Sequence, residues 1–314
     1  MYWGGLVKST KHVTETAILL VLYMVLFTIV YFIPFLGIFF VWVLPLPFIM
    51  NAVRNGRNAT IYMFVIALVL SLLFSLPAVL ITLMFASVGV IVGEVYRRKG
   101  AAFHILLAGT LTFIVNFLLL YVLVVVFLGI DPITELVSGM KDTIKQMQQL
   151  SPEQFAGNEK LLAAFFKQLD LLTYIVPSML LISAFIFALI TQLIANLFLK
   201  RFNFEIQAWK PFHEWSLPKS LLFYYLIVLF LVLIGLEEGS TLYVIVMNLQ
   251  LLLEIAMILQ GFTVIFAFSK IKGWSLAIPI VIVVGSFLLT IPLQFVKLLG
   301  IIDLGIDLRS RMKS

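Results

Sequence analysis

AAFHILLAGTLTFIVNFLLLYVLVVVFL, residues 101–128, runs from Ala101 to Leu128 without one Asp, Glu, Lys or Arg. As a helix it would rise about 42 Å, more than the roughly 30 Å of a bilayer's hydrocarbon core. It would also satisfy its own backbone N–H and C=O groups where no water reaches. The stretch reads as a transmembrane helix, and the chain repeats the pattern on both sides of it. Toward the N-terminus lie Pro77 to Tyr96, Ala59 to Leu76, Leu36 to Ala52 and Thr14 to Phe32. Toward the C-terminus lie Leu171 to Leu199, Leu217 to Leu236, Thr241 to Ser269 and Trp274 to Leu299. These runs predict an all-α polytopic transmembrane bundle of eight or nine spans. Several exceed the minimum length, so they tilt, kink or project.

Composition agrees. Hydrophobic residues make up 63% of the 314 and charged ones 11%, against about 45–50% and about 25% in soluble domains. The net charge of +6 is spread over short clusters between apolar runs, which is a pattern of topology and not of nucleic-acid binding. The absence of cysteine removes disulfides, thiolate metal sites and thiol nucleophiles. Lys8, Lys11 and His12 precede the first run as in a secretory signal, but no small-residue cleavage site follows Phe32, so the first span is expected to be retained.

Placing the N-terminus in the cytoplasm of a cell-membrane protein puts Arg54 and Arg57, then Arg97, Arg98 and Lys99, then Lys200, Arg201, Lys210 and Lys219, then Lys270 and Lys272 on the same inner side. The outer turns at Pro34, Pro77 and Glu237 to Glu238 carry no positive charge. One conflict remains: nine crossings would leave Arg309, Arg311 and Lys313 outside. Either the tail is an exception or one run does not fully cross.

The long polar stretch from Asp131 to Asp170 falls outside in this topology and reads as helical. Asp131-Pro132 is an N-cap followed by proline at the first helical position, and Ser151-Pro152 repeats the signal. Ile133, Leu136, Val137, Met140, Ile144, Met147 and Leu150 recur mostly at three and four, one greasy stripe on an amphipathic helix that would lie on the outer leaflet or close over a cavity mouth. A second interfacial piece, Arg201 to Pro218, carries Trp209, Phe212 and Trp215 among charges. These three are candidates for docking a partner, although tryptophan at headgroup depth anchors first. The expected division is a six-helix core over 1–200 and an extension over 201–314, together one membrane unit.

Nucleotide-binding, zinc-protease and hydrolase signatures are missing, and the three histidines at 12, 104 and 213 are scattered. No catalytic residues, metal site, cofactor or nucleic-acid partner is expected, and enzyme activity is not expected. Glu254 stands out because it sits in mid-span, where insertion scales charge about 2.5–3.5 kcal/mol for comparable residues. Gln250 is one turn away on the same face and Gly261 two turns beyond. Asn116, with Gly109 and Thr112 on one face of the fifth span, and Gln192 and Asn196 on the sixth, are candidate partners for that carboxyl. A substrate or proton site stands against a protonated glutamic acid that merely glues helices. Asn116, Gln250 and Glu254 are the ligand-binding candidates. Gly89 and Gly93, with Ala86, form a small-xxx-small step for close packing, and Pro45, Pro47, Pro177, Pro279 and Pro292 interrupt spans as in transporters.

Thr14-Glu15-Thr16-Ala17, Ile33-Pro34-Phe35-Leu36-Gly37 and Pro45-Leu46-Pro47 followed by Arg54 occur in that order. Phe212, Trp215, Leu217 and Pro218 then precede the seventh span, and Asp303, Asp307 and Arg309 lie in the tail. On these residues the chain resembles, over nearly its whole length, the YybS-type family of bacterial polytopic membrane proteins. That family is distantly similar to the S-components of energy-coupling-factor transporters. The resemblance implies a six-helix core in the first six spans and a ligand cavity beneath the loops after Pro34 and Asp131. The A-x-x-x-A docking face of S-component first helices is represented here by Ala17 alone. The same superfold is similar to scaffold proteins that transport nothing, and genes of this family often stand beside one for a cyclic-dinucleotide phosphodiesterase. A small-molecule-binding transport or permease subunit is the first expectation. A membrane scaffold or regulatory partner protein is the second.

Overall fold

The computed structural model describes residues 3–151, 153, 157–207 and 209–312. Side chains before Thr10, that of Lys8 among them, are not described, and the expectations at Pro152 and Lys313 lie outside the described residues. The elements in order are α1 Trp3–Phe32, α2 Pro34–Phe40, a 3₁₀ turn Val41–Val43, α3 Leu46–Leu72, α4 Leu76–Arg97, α5 Ala102–Leu128, α6 Pro132–Leu150 and α7 Glu159–Arg201. A 3₁₀ turn at Phe212–Glu214 comes next, then α8 Ser220–Ile234, α9 Thr241–Ile271, α10 Ala277–Leu288, α11 Thr290–Ile306 and α12 Leu308–Met312. No strand occurs among the described residues. Among the described residues six helices are long and apolar enough to cross a membrane when Pro34–Leu72 is taken as one. Side chains such as Leu73 and Phe127 are about four-fifths exposed, an apolar exterior suited to lipid and not to water.

Two compact units divide the chain. The first comprises 1–132 and 180–208, the second 133–179 and 209–314. This differs from a division near residue 200. Residues 133–179 are held together by Lys141 to Asp170 and join the C-terminal helices through Lys167 to Glu238 and the Asn248 side chain to Tyr174 and Ser178. Sequence order is a poor guide because α7, about 64 Å long, contributes to both units.

In the first unit the chain reverses three times before α5. Gly37 stands against Val30 and Thr16 bonds Asn51 at 2.9 Å, so α2 and the start of α3 run back along α1. The α3 helix is broken at Gly56, with φ 86° and ψ 176°, a conformation that costs a residue with a Cβ far more than glycine. Beyond the break the chain doubles back: Asn51 reaches Thr60 and the Phe48 ring stands 6.5 Å from Phe64. The two expected spans on either side of Arg54 are thus separate passes joined at Gly56. Helix α4 then packs on the first half of α3 through the glycine step. A Cβ on Gly93 would lie 2.7 Å from that of Ala52, and one on Gly89 2.5 Å from the Pro45 carbonyl oxygen. The aromatic layer Tyr23, Phe27 and Phe48 is fully buried between these helices, with the Tyr23 hydroxyl donating to Thr82.

In the second unit Pro177 interrupts α7. The amide of Asn248 fills the gap: Ser178 N–H donates to its Oδ1 at 2.8 Å, and its Nδ2 donates to the Tyr174 carbonyl at 2.6 Å. A side chain has replaced the missing rung of the helical ladder. The run expected at Trp274 to Leu299 is not one straight helix. It is α10 and α11, bent by 119° between them. Glycines at 261 and 300 let α9 and α11 touch backbone to backbone, since a Cβ on either would overlap a carbonyl oxygen of the other helix. The end of α11 comes back to the C-terminal end of α9, where Asp307 and Arg309 line one cleft with Ala267, Lys270 and Ile271. Arg309 of the basic tail thus stands at the same end of the second unit as Lys270.

Candidate functional site

Polar atoms within apolar helices are the places to look, because each must find a partner or cost several kcal/mol. In the first unit Asn116 on α5 is buried and donates from Nδ2 to the Met84 carbonyl and to Ser87 Oγ, both at 2.9 Å. Beside it, between α4 and α5, opens a groove of about 230 Å³ lined by Pro77, Leu80, Met84, Leu119 and Leu123. Its lining is apolar apart from this one amide. Gln192 donates to the Ala102 carbonyl and Asn196 accepts from Tyr96. The amides considered as partners for Glu254 are thus engaged by neighbours in their own unit.

One end of the first unit gathers its basic clusters. His12 contacts Asn55, Arg54 lies over the rings of Phe202 and Phe204, and Lys99 pairs with Glu205, so the starts of α1 and α5, the Gly56 turn and the end of α7 meet there. The ammonium of Lys99 holds the Glu205 carboxyl below the ordinary carboxylate range. Glu94 is clamped by Arg97 and Arg98.

In the second unit Glu254 has a partner that the residue pattern did not single out: Lys297 of α11, with Nζ 3.2 Å from Oε1. The Glu254 side chain is 30% exposed and that of Lys297 15%. Each lies well inside its helix, at about the depth where a bare charge is costly, and each neutralises the other. Gln250 is half-buried one turn from Glu254 and makes no side-chain hydrogen bond among the described residues.

Two turns along α9 a second polar contact joins the same helices, Gln260 to Asp303, and the Asp303 carboxylate also pairs with Arg309 of α12. Asp303 is buried and accepts from Gln260 Nε2 at 2.6 Å, from Arg309 Nε at 3.0 Å and from the Arg309 backbone N–H at 3.2 Å. Asp307 at φ 53° ends α11 and turns the chain so that Arg309 folds back onto it. Arg309 also donates to the Trp215 carbonyl, and the Leu217 N–H donates to Gln260 Oε1. The loop after residue 208 is thereby fastened to α9 and α11.

That loop holds the docking candidates. Trp209 and Trp215 meet at 5.0 Å with their rings tilted by 40°, Phe212 meets Trp215 at 5.4 Å and Phe266 at 5.2 Å, and Trp209, Phe212 and Trp215 are half-buried. Trp215 Nε1 donates to the Lys210 carbonyl, whereas the buried Trp209 Nε1 has no partner among the described residues. Beside them a cleft of about 870 Å³ is walled by His213, Glu214, Ser216, Lys270, Asp307 and Arg309. No cluster of three or more His, Asp or Glu side chains able to hold a metal occurs among the described residues.

Sequence reasoning missed Lys297 because a lysine late in an apolar run reads as the edge of a span. A signal was present: Glu254 and Gln260 are six apart, as are Lys297 and Asp303, with Met257 and Gly300 midway. Both polar contacts join residues 43 apart.

Comparison with known proteins agrees with the helices just described. The chain is 28% identical over 311 residues, 98% of its length and all of the relative's, to "Uncharacterized protein YybS" of Bacillus subtilis (strain 168). No solved structure matches. Residues 21–304 match the family described as "Predicted membrane protein (DUF2232)", and the chain is an integral membrane protein belonging to that family.

Proposed function

We propose that the protein is a small-molecule-binding transport or permease subunit of the cell membrane, with its N-terminus in the cytoplasm, and that a charged group of the solute is met at Glu254 and Lys297. The observation that carries this reading is the α10–α11 reversal, which sets a lysine inside the bundle against a mid-helix glutamate at 3.2 Å. Interrupted helices and ionisable residues at membrane depth are the features that solute and ion pathways share. Gln250, with its amide unengaged among the described residues, supplies a further polar contact one turn away. The groove at Asn116 offers a smaller apolar site, in keeping with the S-component-like reading of the first unit. Gathering of the basic clusters at one end of the first unit, and of Lys270 and Arg309 at one end of the second, supports the cytoplasmic N-terminus.

A second reading, a scaffold or regulatory partner without transport activity, has its own support. Lys210, Glu214 and Lys219 are exposed around the Trp209, Phe212 and Trp215 cluster, which borders the 870 Å³ cleft.

Native mass spectrometry of protein extracted from its own membrane separates the two. The transport reading expects a co-purifying solute that is lost in Glu254→Gln and in Lys297→Met while the fold is retained. It also expects the reversed pair, Glu254→Lys with Lys297→Glu, to recover stability without recovering the solute. A stoichiometric protein partner lost in Trp215→Ala, with no solute in the wild type, would replace the transport reading by the scaffold one.

A further inference from the structure

We infer that the basic end of the first unit is a binding site for the phosphate of an anionic phospholipid headgroup, built around Arg54. The inference is independent of any transport role. The described side chains at this end include eight lysines and arginines but only Glu15, Glu94 and Glu205 as carboxylates, a surplus of five positive charges. Glu94 is held by Arg97 and Arg98, and Glu205 by Lys99. Lys11, Arg54, Arg57, Lys200 and Arg201 form no ion pair among the described residues, and all five are exposed.

Arg54 is the fixed point of the group. Its guanidinium lies 5.2 Å from the Phe202 ring centroid and 6.0 Å from that of Phe204. Stacking on two rings holds the planar group in place and leaves its edge N–H donors for a phosphate oxygen, which guanidinium binds in a two-pronged manner. Arg57 follows across the Gly56 turn, and Lys200 and Arg201 close α7 immediately before Phe202, so three further cations flank the preorganised Arg54 in sequence. These positions are the ends of apolar helices, where lipid headgroups lie. Juxtamembrane cations attract anionic lipid over about one Debye length, roughly 10 Å in ordinary salt. Lipid is favoured over an acidic protein because the rings of Phe202 and Phe204 place the site at the boundary of the apolar exterior.

The test uses the full chain in nanodiscs made either of phosphatidylcholine alone or of an equimolar mixture with phosphatidylglycerol, followed by native mass spectrometry of the lipids retained on release. Phosphatidylglycerol should be kept in preference to phosphatidylcholine, and less so as salt rises. Arg57→Ala, which removes no ring contact, should weaken that preference about fivefold, and Arg54→Ala with Arg57→Ala further, at about fivefold per cation. Lys145→Ala, an exposed lysine in the other unit, should leave it unchanged. Equal retention of the two lipids, or a preference untouched by Arg57→Ala and by the double variant, would overturn the inference. Displacement of phosphatidylglycerol by millimolar inorganic phosphate that itself binds in phosphatidylcholine discs would assign the site to free phosphate. Binding of polyglutamate with no lipid preference would assign it to an acidic protein.

Discussion

Two polar contacts join α9 to α11, Gln260 to Asp303 and Glu254 to Lys297, and the carboxylates in them are held in opposite ways. Asp303 is almost fully buried, its carboxylate taken up by Gln260, by the Arg309 guanidinium and by a backbone N–H. Glu254 is partly open, and Lys297 is its one side-chain partner among the described residues. A buried charge with every lone pair engaged is a fastening, because removing any partner strands the rest. A partly open pair with one contact can exchange that contact for another at little cost. The first contact holds the interfacial loop to the bundle, and the second is the pair proposed to meet the solute.

Measured stability should separate them. The largest effect is expected for Asp303→Asn, which leaves the Arg309 guanidinium without its counter-charge. A loss of about 3–5 kcal/mol, read by thermal or denaturant unfolding in detergent, is expected together with release of the 209–217 loop to proteolysis. A value under about 1 kcal/mol would erase the distinction. Next comes Gly300→Val, which forces α9 and α11 apart. It should cost about 1–3 kcal/mol and separate Lys297 from Glu254, so that a cross-link between cysteines placed at 254 and 297 is lost. Glu254→Gln should cost less, about 0.6–1.7 kcal/mol, the range of interhelical polar contacts in membranes, yet should remove bound solute altogether. Trp215→Phe, losing the hydrogen bond to the Lys210 carbonyl, should cost about 1 kcal/mol. The smallest effect is expected for Trp209→Phe, within about 0.5 kcal/mol, because its N–H makes no bond among the described residues. These two changes would show whether the loop's stability comes from the Asp303 fastening or from its rings.

Much of this arrangement was legible along the chain. The helices were written in the apolar runs, the Gly89 and Gly93 contact in its four-residue spacing, the α6 helix in Asp131-Pro132 and the greasy stripe after it. Glu254 was conspicuous because a carboxylate in mid-span needs a partner, whether a ligand or a neighbouring helix. Its partner was not, since Lys297 is distant in sequence and sits in a run whose length is that of one crossing. Asn248 was passed over for the same reason: its role exists only because Pro177 of another helix comes to lie against it.

The sequence by itself determined that the protein is a membrane-spanning helix bundle, because hydropathy and backbone hydrogen bonding act locally and a bilayer leaves few alternatives to helices. Tertiary structure alone decided that α10 and α11 turn back, that residues 133–179 belong with the C-terminal helices, and which charges face each other. Those outcomes depend on how close two backbones can come at Gly261 and Gly300, and on which long side chains that approach brings within reach.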